Sequence, residues 1–354
     1  MRGFTFDALP GRVVFGAGAL RALPDELDAL GADRVLLVAG GRAGAVRDLV
    51  GARVVGQFRD VAQHVPVERA ADARTLADEL KVDAVLAVGG GSAIGFGKAI
   101  ALDRDVRTVA VPTTYAGSEM TSIWGLTEGD HKRTGSDPRV KPEVVVYDPE
   151  LTLSLPPRVA GPSGMNALAH CVEALYGPRA NPVAWLMALE GIRSLHHALP
   201  AVCAAPDDIG ARTEALYGAY LGGAALAAAG TALHHRTCHV LGGMFGLDHA
   251  DTHAVVLGHA LAYNAPAVPD ALRAIEGALG TADAAGELHD LTAAIGAPTS
   301  LAALGMPAEG LDEATARVVA EAAGNVRPPE AEGIRRMLDD AYAGRRPSTA
   351  GSQR

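Results

Sequence analysis

Three cysteines in 354 residues, Cys171, Cys203 and Cys238, are too few for a disulfide framework, and none stands in a CxxC pair suited to a metal. Their scarcity points to a reducing cytoplasm. Runs of Lys or Arg are also missing, and the formal charge is −10. A chain of that sign lacks the basic stripe that attracts nucleic acid or an anionic membrane, so an anionic substrate needs a local pocket of cations. The opening MRGFTFDALPGRVVFG holds no apolar signal core. Only one long stretch is free of charge, ALYGAYLGGAALAAAGTAL from Ala215 to Leu233. Ala and Gly insert poorly in a bilayer compared with Leu or Ile, and histidines follow at once, so it reads as a buried helix of a soluble helical domain.

What is present divides into two textures, and the length suits about two domains. Up to about residue 150, β-rich runs alternate with amphipathic segments: RVLLVAGG, ARVVGQF, DAVLAVGGG, RTVAVPTT and EVVVYDP. The alternation predicts a mostly parallel sheet covered by helices, with strands apolar throughout because both faces are buried. After Pro156 and Pro157 the spacing becomes helical, broken by loop signals at GPRANP, AAPDD and FGLDHAD. The expected organisation is an α/β domain over 1–155, an all-α domain over 156–343 and a frayed polar tail over 344–354.

Two loops of the first half carry ligand-binding chemistry. VGGGSAIGFGKAIAL places Gly89, Gly90, Gly91 and Ser92 between a strand and a helix, where free amides attract phosphate. GxGxxG fails at every register, and a P-loop would need Gly in place of Ser92 and Ser or Thr in place of Ala99. A ligand-free strand-to-helix turn is the plain alternative. The next strand ends in PTTYAGSEMT, with Thr113, Thr114 and Ser118 at the same carboxyl edge, where open α/β sheets bind ligands. Side by side, the two loops suggest a dinucleotide site. No acid closes VLLVAGG to bind a ribose hydroxyl, and Arg42 follows instead, so both NADH and NADPH are admitted.

Histidine is the residue in excess. Six of the twelve fall between 234 and 259, in LHHRTCHVLGGMFGLDHADTHAVVLGHALAYN. His235 and His239 are four apart on one helix, and His249 and His253 four apart on the next, after a loop through Gly242, Gly243 and Gly246. In GMNALAHCVEAL, Asn166 and His170 share a helix face. Two such faces can converge with His170 on one pocket, as a metal or catalytic site requires. His234 and His259 fall outside the matched pairs and read as core histidines, while His64, His131, His196, His197 and His289 read as surface residues.

These motifs together, GGGS, PTT, Asn166 with His170, and histidines fourteen apart at 235 and 249, resemble the iron-containing alcohol dehydrogenase superfamily. GGGSAIGFGKAIAL, PTTYAGSEMTSIWGLTE, GMNALAHCVEALY and LHHRTCHVLGG are similar to its metal-independent maleylacetate reductase branch, in which Asn replaces a metal-binding Asp. The resemblance extends over nearly the whole chain. It implies a dehydroquinate synthase-like fold, with an α/β dinucleotide-binding domain before an all-α domain, and a homodimer. It also implies reduction of the carbon-carbon double bond of maleylacetate to 3-oxoadipate with NADH or NADPH, in aromatic-compound degradation and without a metal. On this reading His239 and His249 hold the ketone oxygen and supply the proton, and His253, His170 and His235 complete the wall. Asn166, Tyr115, Arg236 and Arg133 face the substrate, while Lys132 joins the two loops at the cofactor.

Several residues depart from that branch: Gly40 and Gly41 in AGGRAG, Ser136 in TGSDPRV, and Asp248 and Gly258 in FGLDHADTHAVVLGH. They leave two alternatives, a homologue repurposed without hydride transfer and a metal-dependent alcohol dehydrogenase using three imidazoles.

Overall fold

The structure is a computed structural model describing residues 4–6, 8, 11–41, 43–129 and 131–350, with the backbone alone at His131 and Lys132. Arg42 and the side chain of Lys132 lie outside the described residues. The chain forms two compact units, Ala8–Leu155 and Pro156–Arg354, the latter together with Met1–Asp7.

In the first unit the strands are β1 (Arg12–Phe15), β2 (Val35–Val38), β3 (Val54–Phe58), β4 (Ala84–Gly89), β5 (Arg107–Pro112), β6 (Ile123–Glu128), β7 (His131–Ser136) and β8 (Val144–Tyr147). Its helices are α1 (Leu23–Leu30), α2 (Gly44–Val50), α3 (Val67–Glu79) and α4 (Gly91–Asp103). Six strands form a parallel sheet in the order β1-β8-β5-β4-β2-β3. Alternate side chains enter two separate cores. Leu37, Leu86 and Val109 pack with Leu23, Leu27 and Val46 of α1 and α2, whereas Leu36, Val38 and Val85 pack with Ala73, Phe96 and Ile100 of α3 and α4. Each buried Leu or Val contributes about 1.5–3 kcal/mol, so the continuous apolar runs follow from two covered faces.

All five expected runs are strands, but three further strands carry no such signal. Strand β1 is short and only half-buried, and β6 of the β6–β7 hairpin buries only Leu126, leaving Ile123 and Glu128 exposed. Strand β2 has β3 on one side and β4 on the other, which makes the carboxyl ends of β2 and β4 the place where the strand order reverses. Open sheets bind ligands at such a point.

The second unit contains α5 (Pro157–Ala174), α6 (Pro182–Ala204), α7 (Ile209–Ala229), α8 (Leu233–Phe245), α9 (His249–Asn264), α10 (Pro269–Leu279), α11 (Ala284–Ala294), α12 (Leu311–Glu321) and α13 (Ala331–Ala343). Every residue of α5 from Ala160 to Ala174 is buried, as expected of a helix with neighbours all round. Gly164 permits that approach, since a Cβ there would collide with Leu199 of α6. The uncharged stretch supplies most of α7, capped by Asp208, whose carboxylate accepts from the amides of Gly210 and Ala211. Among the described residues no single helix is long and apolar enough to cross a membrane.

Two local expectations are corrected. Gly242 and Gly243 lie inside α8, which continues to Phe245 and stops at Gly246, a left-handed residue with φ 64°. The loop before α9 is therefore shorter than the three glycines suggest. The tail is also not frayed through its described part. Arg346 donates to both carboxylate oxygens of Asp290 and to Asp283, and the amide of Thr349 donates to Asp283 at 2.7 Å. The buried Thr349 hydroxyl donates to Asp283 and accepts from the amide of Ala285, each at 3.3 Å.

Candidate functional site

The first unit builds its part of the site from backbone. Gly89 ends β4 with φ 147°, a conformation that side chains rarely adopt, and a Cβ there would approach that of Ala93 at 2.9 Å. Helix α4 starts at once, and no side chain caps it, so its first amides remain available to a ligand. The second loop is fastened beside it: the amide of Thr113 donates to the carbonyl of Gly89 at 3.0 Å. At Gly90 a Cβ would lie 3.0 Å from the side chain of Thr114. Thus Gly89, Gly90, Gly91, Ser92, Thr113 and Thr114 form one half-buried surface. Ser118 follows on the same loop, whereas Tyr115 is fully buried, which removes it from the surface a substrate would meet.

The second unit builds with side chains. Helix α5 presents Asn166, His170 and Glu173 at i, i+4 and i+7, one stripe of its surface. Helix α8 brings His234, His235 and His239, and α9 brings His249 and His253. Asp248 caps α9 by accepting from the amides of Ala250 and Asp251 at 3.0 and 3.1 Å, placing His249 in the first turn. The rings touch in sequence. His170 stacks on His235 with centroids 5.0 Å apart; His235 meets His253 edge-on at 4.7 Å, His253 meets His249 at 4.2 Å, and His249 lies 6.2 Å from His239. Exposure rises along this path, with His170, His234, His235 and His253 buried and His239 and His249 exposed.

Burial decides the protonation of the inner rings. Together with neighbouring imidazoles it holds His235 down at about 3 and, against the opposing pull of Glu173, His234 down at about 4. His170 and His253 are lowered well below the usual range for the same reasons. All four are therefore neutral near pH 7. The tautomer of His235 is set by Glu173, a fully buried carboxylate that accepts from Nδ1–H of His235 at 2.6 Å and from the amides of Ala232 and His234 at 2.9 and 2.7 Å. Burial raises the Glu173 carboxyl, and the His234 ring and these amides oppose the rise. With Nδ1 as donor, His235 keeps a lone pair on Nε2. His234 donates Nε2–H to the carbonyl of His253 at 2.9 Å, a satisfied core histidine as expected.

Several buried atoms have no protein partner: Oδ1 of Asn166, Nδ1 of His170, Nε2 of His235 and both ring nitrogens of His253. Each such atom costs about 1–3 kcal/mol until something satisfies it, so this is a wall prepared for a polar ligand. The structure thus brings Asn166, His170, His235, His239, His249 and His253 into one unit. Arg236 is exposed on α8, and Arg133 is exposed on β7 of the other unit. His259 is buried away from this group, next to His289.

Two residues were not singled out from sequence. Glu173 stood in the quoted helix, seven after Asn166, and that spacing was its only signal. Lys98 stood in the glycine segment, where the failed P-loop pattern gave it no role.

Among the described residues no four His, Cys, Asp or Glu donors converge on one point; the groups whose ligand atoms lie within 4.8 Å of one another are Glu173–His234–His235 and His234–Cys238–His253. Neither includes His170 or His249, Asn166 offers a neutral amide, and His234 is already bonded to a carbonyl.

Two family models match the chain, iron-containing alcohol dehydrogenase over residues 10–149 and the C-terminal model of the Fe-containing alcohol dehydrogenase family over 161–342. The chain is 48% identical to maleylacetate reductase of Sphingobium indicum over 350 residues, covering 98% of this chain and 99% of the relative. It is 49% identical to maleylacetate reductase of Burkholderia cepacia over 352 residues, covering 98% and 100%. The crystal structure of maleylacetate reductase from Agrobacterium tumefaciens superposes with a TM-score of 0.94 at 44% identity, covering 98% of this chain and all of that one. With both halves matched in order and full-length relatives near one-half identity, the chain belongs to the iron-containing alcohol dehydrogenase family.

Proposed function

We propose that this protein reduces the carbon-carbon double bond of maleylacetate to 3-oxoadipate, using NADH or NADPH and no metal, as a cytoplasmic homodimer serving aromatic-compound degradation. The observation that carries the reading is the wall of imidazoles beside an amide at Asn166, in a chain that is similar over its full length to maleylacetate reductases.

The reduced nicotinamide supplies the hydride. The amides at the start of α4 and the hydroxyls of Thr113, Thr114 and Ser118 suit its pyrophosphate. On the substrate, addition at the carbon β to the ketone leaves an enolate, with charge shared between the ketone oxygen and the α-carbon. Hydrogen bonds from imidazoles stabilise such a delocalised charge, and a proton delivered to the α-carbon completes the reduction. His239 and His249 are the residues for both tasks, because exposed rings can recover a proton from solvent. His235 faces the site with a lone pair and is an acceptor, not the donor. Arg236, exposed on α8 of the unit that carries the histidines, answers a substrate carboxylate.

The test is oxidation of NADH and of NADPH by maleylacetate before and after exhaustive chelation. Unchanged turnover supports the proposal, whereas loss of turnover restored by a divalent metal overturns its metal-free part. No binding of either cofactor below millimolar concentration overturns hydride transfer altogether. In the same series Asn166→Asp should gain zinc or iron(II), because a carboxylate beside His170 adds charge to the donor set. Equal metal content in the two proteins after equilibration with zinc would show that the amide does not control the site.

A further inference from the structure

Lys98 lies in the middle of α4 and is only 2% exposed. Removing an ammonium from water costs several kcal/mol, and Met would fill the same space without that cost. Its bonds all go one way. The three N–H groups of Nζ are shared among four oxygens, the carbonyls of Ser118 and Ile123, each at 2.7 Å, the hydroxyl of Thr121 at 3.0 Å and the hydroxyl of Ser118 at 3.2 Å. A single side chain of the helix that opens from the first glycine loop therefore grips the far end of the second loop. The near end is held separately, by the amide of Thr113 on the carbonyl of Gly89.

Between those two anchors the loop has no regular structure until the short turn at Ser118–Met120. Without the ammonium, the carbonyls of Ser118 and Ile123 would lose their charged partner. The hydroxyl and amide of Thr121, which both donate to the Ser118 carbonyl at 3.1 Å, and the amide of Met120 on the Gly117 carbonyl at 3.2 Å would hold the turn without it. Beneath it, the buried carboxyl of Glu119, raised by its burial, accepts from the hydroxyl of Tyr147 at 2.8 Å. The bond to Ser118 also has a direction. Because its oxygen accepts from Nζ, the Ser118 O–H is left to donate elsewhere, as a phosphate oxygen requires.

We propose that Lys98 is a positioning residue for the dinucleotide: it holds the 118–123 segment so that Thr113, Thr114 and Ser118 stay beside the open N-terminus of α4, with the Ser118 hydroxyl turned out as a phosphate donor. The proposal rests on the nucleotide reading of these loops given above.

The experiment compares full-length wild type, Lys98→Met and Gly90→Val. Binding of NADH and NADPH is followed by cofactor fluorescence, with Tm and amide hydrogen exchange measured in parallel. Lys98→Met should weaken cofactor binding by about tenfold or more while kcat at saturating cofactor stays within about threefold, and exchange should accelerate across 113–123. A folded Lys98→Met that binds cofactor as the wild type does overturns the proposal. If that variant does not fold, Thr121→Val keeps the volume and removes one acceptor and the brace on Ser118. It should weaken binding about threefold, and unchanged binding again overturns the proposal. Gly90→Val separates the two levels. If it too leaves binding intact, the nucleotide reading of the loops has failed; if it weakens binding while Lys98→Met does not, only the role of Lys98 has failed.

Discussion

The glycine loops of the first unit and the histidine wall of the second do their work with opposite materials. Around Gly89 the open groups are amides, fixed by strand and helix geometry, and Lys98 lies buried underneath. Around His235 the backbone is buried helix, and the ligand-facing groups are side chains kept neutral and partly unpaired by their burial. The contrast shows where each site is vulnerable. An added Cβ damages the first by filling space, whereas the second is damaged by losing a proton donor or gaining a charge.

The largest effect expected is on the side-chain half. His239→Ala or His249→Ala should lower kcat by about 10² to 10⁴ while leaving cofactor affinity nearly intact, measured by steady-state kinetics beside cofactor titration. Near-normal turnover in both variants would transfer the proton to another residue.

Next comes the acid sensitivity of that same half. His234 and His235 stay neutral down to about 4 and about 3, whereas in the unfolded chain they take up protons near the ordinary value of 6.5. Between those limits the unfolded state binds more protons. The stability held by neutral rings is therefore complete above about pH 6.5 and is lost as pH falls, by roughly 1.4 kcal/mol per ring per pH unit. Unfolding free energies from denaturant titrations at pH 7 and pH 5.5 should differ by about 2–3 kcal/mol from this pair. A flat profile would mean that the rings are not buried neutral.

On the backbone half, Gly90→Val should cost cofactor binding at least about tenfold, roughly 1.4 kcal/mol, because its Cβ would press on Thr114. Stability should change little, since the position faces the ligand surface and not the core. The smallest effect tests a departure from the maleylacetate reductase pattern. Asp248→Ala removes the cap of α9 and should lower stability by about 1 kcal/mol in a denaturant titration, with a further loss of kcat because His249 sits in the first turn. Unchanged stability would mean that the cap is not needed to hold that turn.

Much of this was legible in the residues. Continuous apolar runs reveal strands covered on both sides, because only a parallel sheet between helices buries every position. Spacing of four reveals which histidines share a helix face. The strands that escaped, β1 and the hairpin of β6 and β7, are those with half-exposed faces, where no run forms. Glu173 escaped because an acid on an apolar helix has no visible purpose until the N-terminus of α8 arrives with three N–H groups to meet it.

Sequence alone thus determined the two textures, the glycine turns and the pairing of His235 with His239 and of His249 with His253, all set by neighbours within a few residues. Tertiary structure decided the rest. Only the packing of α5 against α8 and α9 sets His170 on His235, buries four rings so that they remain neutral, and fixes which nitrogen of His235 carries the proton. Only the return of the chain from β5 past α4 puts four oxygens around Lys98. Desolvation and hydrogen-bond direction depend on groups tens of residues apart in the chain, and no local pattern of residues encodes where such groups will meet.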